Sequence, residues 1–186
     1  MQSINTLKLS HLVINKYVKE GDICVDATMG RGRDTLFLSQ IVSEKGKVFS
    51  FDIQKEAVLS TEKLLKENNI NNVTLICDGH ENMAKYIPDG ISCFDFNLGY
   101  LPGGDRSIQT KFETTKKAIE TAMAKLKVGG IISICIYYGK DSGFDEKNSI
   151  IPFLKEIDSE NFTVIMGDFI NRPNNPPIYA VIIKEK

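Results

Sequence analysis

The chain has 186 residues, 42% of them hydrophobic, enough to bury one α/β core and too few for two ordinary domains, so a single domain over 1–186 is expected. Its 23 Lys and Arg against 24 Asp and Glu leave a formal net charge of −1, which excludes the broad basic field that drives non-specific nucleic-acid binding; any RNA contact has to come from a local patch. No apolar run approaches the length of a membrane span, the first residues lack the core of a signal peptide, and Cys24, Cys77, Cys93 and Cys135 show no C-x-x-C spacing, so a soluble cytoplasmic protein with buried thiols, no metal and no membrane is expected.

Strands and helices alternate along the chain. Residues 5–19 place Leu9, Leu12, Val13 and Tyr17 on one helical face, and Gly21 ends that helix before a strand at Ile23–Asp26. A turn containing Gly30 and Gly32 leads to a helix over 33–42, followed by the apolar run Lys47–Phe51. Lys55–Glu67 carries Ala57, Val58, Thr61, Leu64 and Leu65 at helical spacing, and a third strand follows at 73–77. A fourth strand at 91–96 opens into a loop, residues 97–104, whose Pro102, Gly103 and Gly104 forbid a regular element. A long helix then places Ile108, Phe112, Thr115, Ile119, Met123 and Leu126 at steps of three or four, with Gly129 and Gly130 as its stop. The apolar run 131–138 reads as a strand covered on both faces. A helix near 146–158 precedes strands at 163–168 and 178–183, which lack an intervening helix and are expected to pair antiparallel. Five βα units and a terminal strand pair predict a Rossmann-like α/β fold, a seven-stranded, mostly parallel sheet with helices on both faces.

In such sheets ligands sit beyond the carboxyl ends of the strands, where Asp26, Asp52, Asp78, His80, Asn97 and Tyr100 all fall. Asp26 precedes a D-x-x-x-G-x-G turn in which Thr35 stands where a dinucleotide fingerprint has its third glycine. A dinucleotide needs a helix N-terminus against its pyrophosphate, whereas S-adenosylmethionine carries no phosphate, so S-adenosylmethionine is the better ligand and the fold that of a class I methyltransferase. Asp26 suits its ammonium group or an adjacent water, Asp52 can accept from both ribose hydroxyls, and Asp78 can accept from the adenine amine.

Methyl transfer from a sulfonium is an in-line displacement that needs alignment more than acid–base power. The carbonyls of Asn97 and Leu98 could accept hydrogens from a substrate amine, and Tyr100 could stack on a base. This turn resembles the N-P-P-Y turn of amino-directed methyltransferases, with Leu98 and Gly99 replacing the prolines. Asp105 could take up the released proton, although a solvated turn acid is the simpler reading. His80 packs against the cofactor more readily than it catalyses, and His11 reads as structural. Arg31, Arg33, Arg106, Lys111, Lys140 and Arg172 offer a local phosphate-binding margin, and Tyr100, Tyr137 and Tyr138 offer surfaces for an unstacked base.

The segments DATMGRGRDT, FDIQ, DGHEN, FNLGYLPGGD, YYG and N-x-x-N-x-P-P together resemble the small bacterial proteins labelled rRNA methylases. That family is understood as tRNA methyltransferases that complete 5-methylaminomethyl-2-thiouridine at the wobble position. The resemblance covers essentially the whole chain and implies methyl transfer to the exocyclic amine of 5-aminomethyl-2-thiouridine. It implies cofactor contacts from Gly30, Gly32, Asp34, Asp52, Gln54 and His80, with Asn97 through Tyr100 and Asp105 facing the substrate amine. The family pattern has Asn between the two glycines, where Arg31 stands, so a grip of Arg31 on the methionine tail is an open assignment. The anticodon arm of tRNA would dock directly on the catalytic face, with a homodimer as a further partner. Ribosomal RNA or a small metabolite as substrate, and a non-catalytic S-adenosylmethionine-binding module, are the alternatives.

Overall fold

The computed structural model describes residues 3–139 and 143–186. Seven strands, β1 (Ile23–Asp26), β2 (Lys47–Phe51), β3 (Val73–Ile76), β4 (Ile91–Leu98), β5 (Leu126–Ile136), β6 (Phe162–Gly167) and β7 (Ile178–Lys184), form one sheet in the order β3-β2-β1-β4-β5-β7-β6. The five strands from β3 to β5 are mutually parallel, and β7 runs antiparallel to both β5 and β6. Five α-helices, α1 (Thr6–Tyr17), α2 (Arg33–Val42), α3 (Lys55–Glu67), α4 (Phe112–Lys125) and α5 (Phe144–Lys155), and a short 3-10 helix at His80–Lys85 complete the described elements. The expected seven-stranded Rossmann-like architecture is the one observed.

Side-chain alternation along the strands divides the core into two layers. Val25, Phe94, Phe96, Ile132, Ile134 and Ile136 pack with Ile119 of α4 and Ile150 and Leu154 of α5. Their neighbours Cys24, Cys93, Ile131 and Cys135 pack on the other face with Ile14 of α1 and Leu38 and Val42 of α2. Cys24, Cys93 and Cys135 are buried free thiols as expected, but Cys77 is exposed, because β3 ends at Ile76 and leaves it on the rim.

Several boundaries differ from the sequence expectation. β4 continues through Asn97 to Leu98, since the ladder to β5 pairs Asn97 with Cys135 and Leu98 with Ile136. α4 starts only at Phe112, and Ile108 belongs to the preceding loop. β5 begins directly after α4 at Leu126, with Gly129 and Gly130 inside a register shift rather than before the strand; Gly129 has a left-handed φ of 75°. α5 spans Phe144–Lys155 instead of 146–158.

Strand order reverses between β1 and β4, the place where such sheets open a crevice. There Asp26 lies in register with Asp95, and both are fully buried. Asp26 accepts from Thr35 Oγ1 at 2.6 Å and from the Thr28 N–H at 3.1 Å. Burial raises its pKa from 3.8 to about 7, with the negative charges of Asp34 and Asp52 adding to the shift. The same burial, with Asp34 and Asp26 nearby, pushes Asp95 well above the usual carboxylate range. The Asp26 carboxyl, expected to suit the ligand's ammonium group or an adjacent water, is enclosed here and braces the start of the glycine turn.

A carboxyl whose folded pKa lies above its unfolded value stabilises the fold at low pH and loses that contribution as pH rises through the folded value. Asp26 should cost the protein on the order of 4 kcal/mol of stability as pH climbs from about 4 to about 7. Asp26→Asn is expected to flatten that share of the decline, measured by urea unfolding across this pH range; an unchanged slope would contradict the assignment.

Candidate active site

The turn after β1 begins with Ala27, whose N–H donates to the Asp95 carbonyl at 2.9 Å, and Met29, whose N–H donates to the Phe51 carbonyl at 2.8 Å. Gly30 and Gly32 adopt left-handed φ values of 52° and 78°. A Cβ on Gly32 would also lie 2.6 Å from Thr61 Oγ1 of α3, so the backbone is held close to that helix. Asp52, just past β2, closes the turn: Oδ2 accepts the Gly30 N–H at 3.0 Å and Oδ1 accepts the Gln54 N–H at 2.8 Å. Each oxygen keeps a further lone pair, so a ribose diol can still donate to it. Burial raises the Asp52 pKa, opposed by these two backbone bonds and by His80 and Arg31.

Beyond the ends of β2 and β3, Ile53 is 60% exposed and Cys77 Sγ lies 3.8 Å from the Ile53 carbonyl. These two apolar groups suit the face of an adenine ring. The exposed apolar residue directly after Asp52 was the signal available in the sequence and was missed. Asp78 is spoken for within its own turn, accepting from Gly79 N–H, Asn82 Nδ2 and Tyr86 Oη at 2.8, 2.9 and 2.8 Å. Those side-chain donors hold its pKa below the ordinary value. His80 is buried, and its Nδ1–H donates to the Ala27 carbonyl at 3.2 Å, supporting the floor of the glycine turn. Burial lowers its pKa, and Nε2 is buried without a partner among the described residues.

The end of β4 meets this turn directly. The Asn97 N–H donates to Thr28 Oγ1 at 2.7 Å, and Asn97 Nδ2 donates to Asp34 Oδ2 at 2.9 Å and to Asp95 Oδ2 at 3.3 Å. With both amide hydrogens committed to carboxylates, Asn97 Oδ1 has no partner among the described residues and is left as an acceptor on a partly exposed side chain. Asp34 also takes His11 Nε2 at 2.6 Å through Oδ1. Asp34 was expected to face the cofactor; the structure shows it bridging α1 and β4. Leu98 is fully buried, and its carbonyl accepts the Tyr137 N–H at 3.0 Å, while the Gly99 carbonyl accepts the Thr110 N–H at 2.9 Å. The expected backbone acceptor at Leu98 thus has one lone pair engaged by the sheet, whereas the side-chain oxygen of Asn97 has no partner among the described residues.

The following loop returns on itself, with Tyr100 bridged to Gln109. Its base is fastened by the buried Glu146 of α5, which accepts from Thr110 Oγ1 at 2.5 Å and from Thr115 Oγ1 at 2.7 Å. Tyr100 is 40% exposed, and the Arg106 guanidinium sits 5.5 Å from its ring. Asp105 is exposed and accepts the Ser107 N–H at 2.8 Å, a bond that lowers its pKa. The bond favours the reading of Asp105 as a solvated turn acid, which the sequence offered beside a proton-accepting role. Arg31 pairs with Glu56 at 2.7 Å and its Nε lies 3.4 Å from the Pro102 carbonyl. It joins α3 to the loop after β4. Gly30 approaches the same loop, where a Cβ would stand 3.6 Å from Leu101 Cδ1. The glycine turn and the β4 loop therefore share one edge.

This edge fits an adenosyl sulfonium ligand: two left-handed glycines bring backbone close, Asp52 retains acceptor capacity for a ribose, and Ile53 offers an apolar face. A sequence model described as "Putative rRNA methylase" matches residues 48–183. A chloroplastic tRNA (mnm5s2U34)-methyltransferase of Arabidopsis thaliana is 32% identical over 191 residues, spanning 96% of this chain and 69% of its own. A solved Clostridium thermocellum protein of the same description as the family is 51% identical with a TM-score of 0.96, covering 99% of this chain and 100% of its own. A Streptococcus mutans protein solved in complex with SAH is 38% identical with a TM-score of 0.90, covering 98% of this chain and 99% of its own. The chain belongs to this rRNA-methylase family of S-adenosylmethionine-dependent methyltransferases.

Proposed function

We propose that the protein methylates the exocyclic amine of 5-aminomethyl-2-thiouridine at the wobble position of tRNA. The observation that carries this reading is the amide of Asn97, locked by Asp34 and Asp95 so that Oδ1 is free to accept from an N–H beside the glycine turn. The Arabidopsis relative, whose printed substrate is this tRNA position, supports it. Further support comes from cation–aromatic pairs on the loops and the first turn of α5 along the same rim: Arg106 on Tyr100 at 5.5 Å, Lys147 on Tyr138 at 3.9 Å and Arg172 on Phe169 at 4.3 Å. Such pairs combine phosphate attraction with flat surfaces for unstacked bases. Of the remaining basic margin, Arg33 and Lys111 are exposed, and Lys140 lies outside the described residues.

When bound, S-adenosylmethionine supplies an electrophilic methyl carbon. Asn97 Oδ1 accepts one hydrogen of the substrate amine and aims its lone pair, while Asp52 and the glycine turn fix the distance of approach. An alkylamine attacks only when neutral, and a neighbouring sulfonium lowers its proton affinity, because two positive charges disfavour each other. The product ammonium releases its proton to solvent. No strong base is required, in keeping with the lowered pKa of Asp105. The anticodon arm is the partner in this reading. No helix among the described residues is long and apolar enough to cross a membrane.

Methyl incorporation is expected into tRNA carrying the 5-aminomethyl group and not into tRNA lacking it, read by mass spectrometry of the digested nucleosides. Equal incorporation into both would favour another RNA position, and S-adenosylmethionine binding without turnover on any RNA would point to a small-metabolite substrate or a binding module. Asn97→Ala should lower kcat about 100-fold with little change in cofactor affinity. Asp52→Ala should weaken cofactor affinity about 10- to 100-fold, as loss of a charge-assisted hydrogen bond does. Calorimetric titration with S-adenosylmethionine separates the two effects.

A further inference from the structure

The Asn97 amide can serve as an oriented acceptor only if its own rotation is prevented, and that depends on Asp34. Asp34 stands in the first turn of α2 with a side chain 15% exposed. One of its oxygens receives Asn97 Nδ2 at 2.9 Å and the other receives His11 Nε2 at 2.6 Å. His11 comes from α1, an element that contributes none of the glycine turn, and its ring stacks on Phe37 of α2 with centroids 3.7 Å apart and planes 12° from parallel. Stacking fixes the plane of the imidazole and the hydrogen bond fixes its edge, so the carboxylate is gripped from the side opposite Asn97. Without His11, Asp34 could turn about its side-chain bonds and release one of the two acceptors that hold the Asn97 amide.

We infer that His11 is a positioning residue for methyl transfer, acting through Asp34 to hold the Asn97 amide oxygen toward the substrate nitrogen. The inference rests on the assignment of Asn97 as the acceptor for a substrate amine. It departs from the sequence reading of His11, on the first helix, as structural. His11 touches neither the glycine turn nor Asp52 in any described contact, so its effect should fall on turnover and not on cofactor binding.

Two variants test this in the full chain. His11→Ala should lower kcat for the aminomethylated tRNA about 10- to 100-fold, with KM and calorimetric S-adenosylmethionine affinity within about 2-fold of the parent. His11→Gln retains an N–H donor near the position of Nε2 and should recover most of the turnover. Added imidazole should partly restore His11→Ala, since the vacated place beside Phe37 is open to solvent on one side. A readout independent of any substrate is the side-chain amide of Asn97, identified by its disappearance in Asn97→Ala: its hydrogen exchange should be slow in the parent and faster in His11→Ala. Unchanged exchange and unchanged kcat in a folded His11→Ala would overturn the inference. So would equal losses in turnover and cofactor affinity, which would mark a general structural role. If the parent does not methylate the aminomethylated tRNA, the substrate assignment fails by itself, and the exchange measurement still decides the role of His11.

Discussion

The site depends on one backbone hydrogen bond, from the Asn97 N–H to Thr28 Oγ1 at 2.7 Å. It fastens the last turn of β4 to the first residues after β1, where the strand order of the sheet reverses. Everything with a chemical assignment lies within reach of that junction. On one side the glycine turn is closed by Asp52, and on the other the β4 loop is held by Glu146 and touched by Arg31. Because the bond is made by the peptide of Asn97, the side chain is free to be set independently by Asp34 and Asp95.

Three carboxyl groups crowd beneath this junction, and their division of labour follows from burial. Asp26 and Asp95 are fully enclosed and are pushed toward their neutral forms, each partly by the charge of Asp34. Asp34 lies nearer the surface and has donors on both oxygens. The acid at the end of the first strand braces the glycine turn, and the residue eight positions later takes the connecting role. Hydroxyl groups temper the enclosed acids: Thr35 for Asp26, and Ser133 and Ser10 for Asp95.

The sequence was most informative where local patterning and tertiary position agree. β1, α2, β2 and α3 could be read to the residue because each pairs a clear periodicity with a clear stop. Misreadings occurred where a long-range contact overrides a local signal. Gly129 and Gly130 look like a break, yet pairing with β4 carries β5 through them. Asn97 and Leu98 look like the start of a loop because Pro102 and Gly103 follow closely, but the β5 ladder extends through both. In the site, the shared edge of the glycine turn and the β4 loop was legible from strand ends alone. The partners of Asp34 were not, since His11 and Asn97 are separated from it by 23 and 63 residues. Nor could spacing reveal that Asp105 and Asp78 are occupied by neighbours within their own turns, or that Arg31 pairs with Glu56 of α3.

Glu146 has a consequence for how a large substrate is received. Its carboxylate is buried, and both oxygens are bonded to hydroxyls at the base of the β4 loop and in the first turn of α4. Pulling the stem of that loop away would strand a desolvated acid, so deformation is steered toward the tip around Gly103 and Gly104. Much of the conformational entropy of the excursion between β4 and α4 is thereby surrendered during folding and not at the moment of encounter, a form of preorganisation that leaves more of the interaction free energy for alignment of the reacting nitrogen.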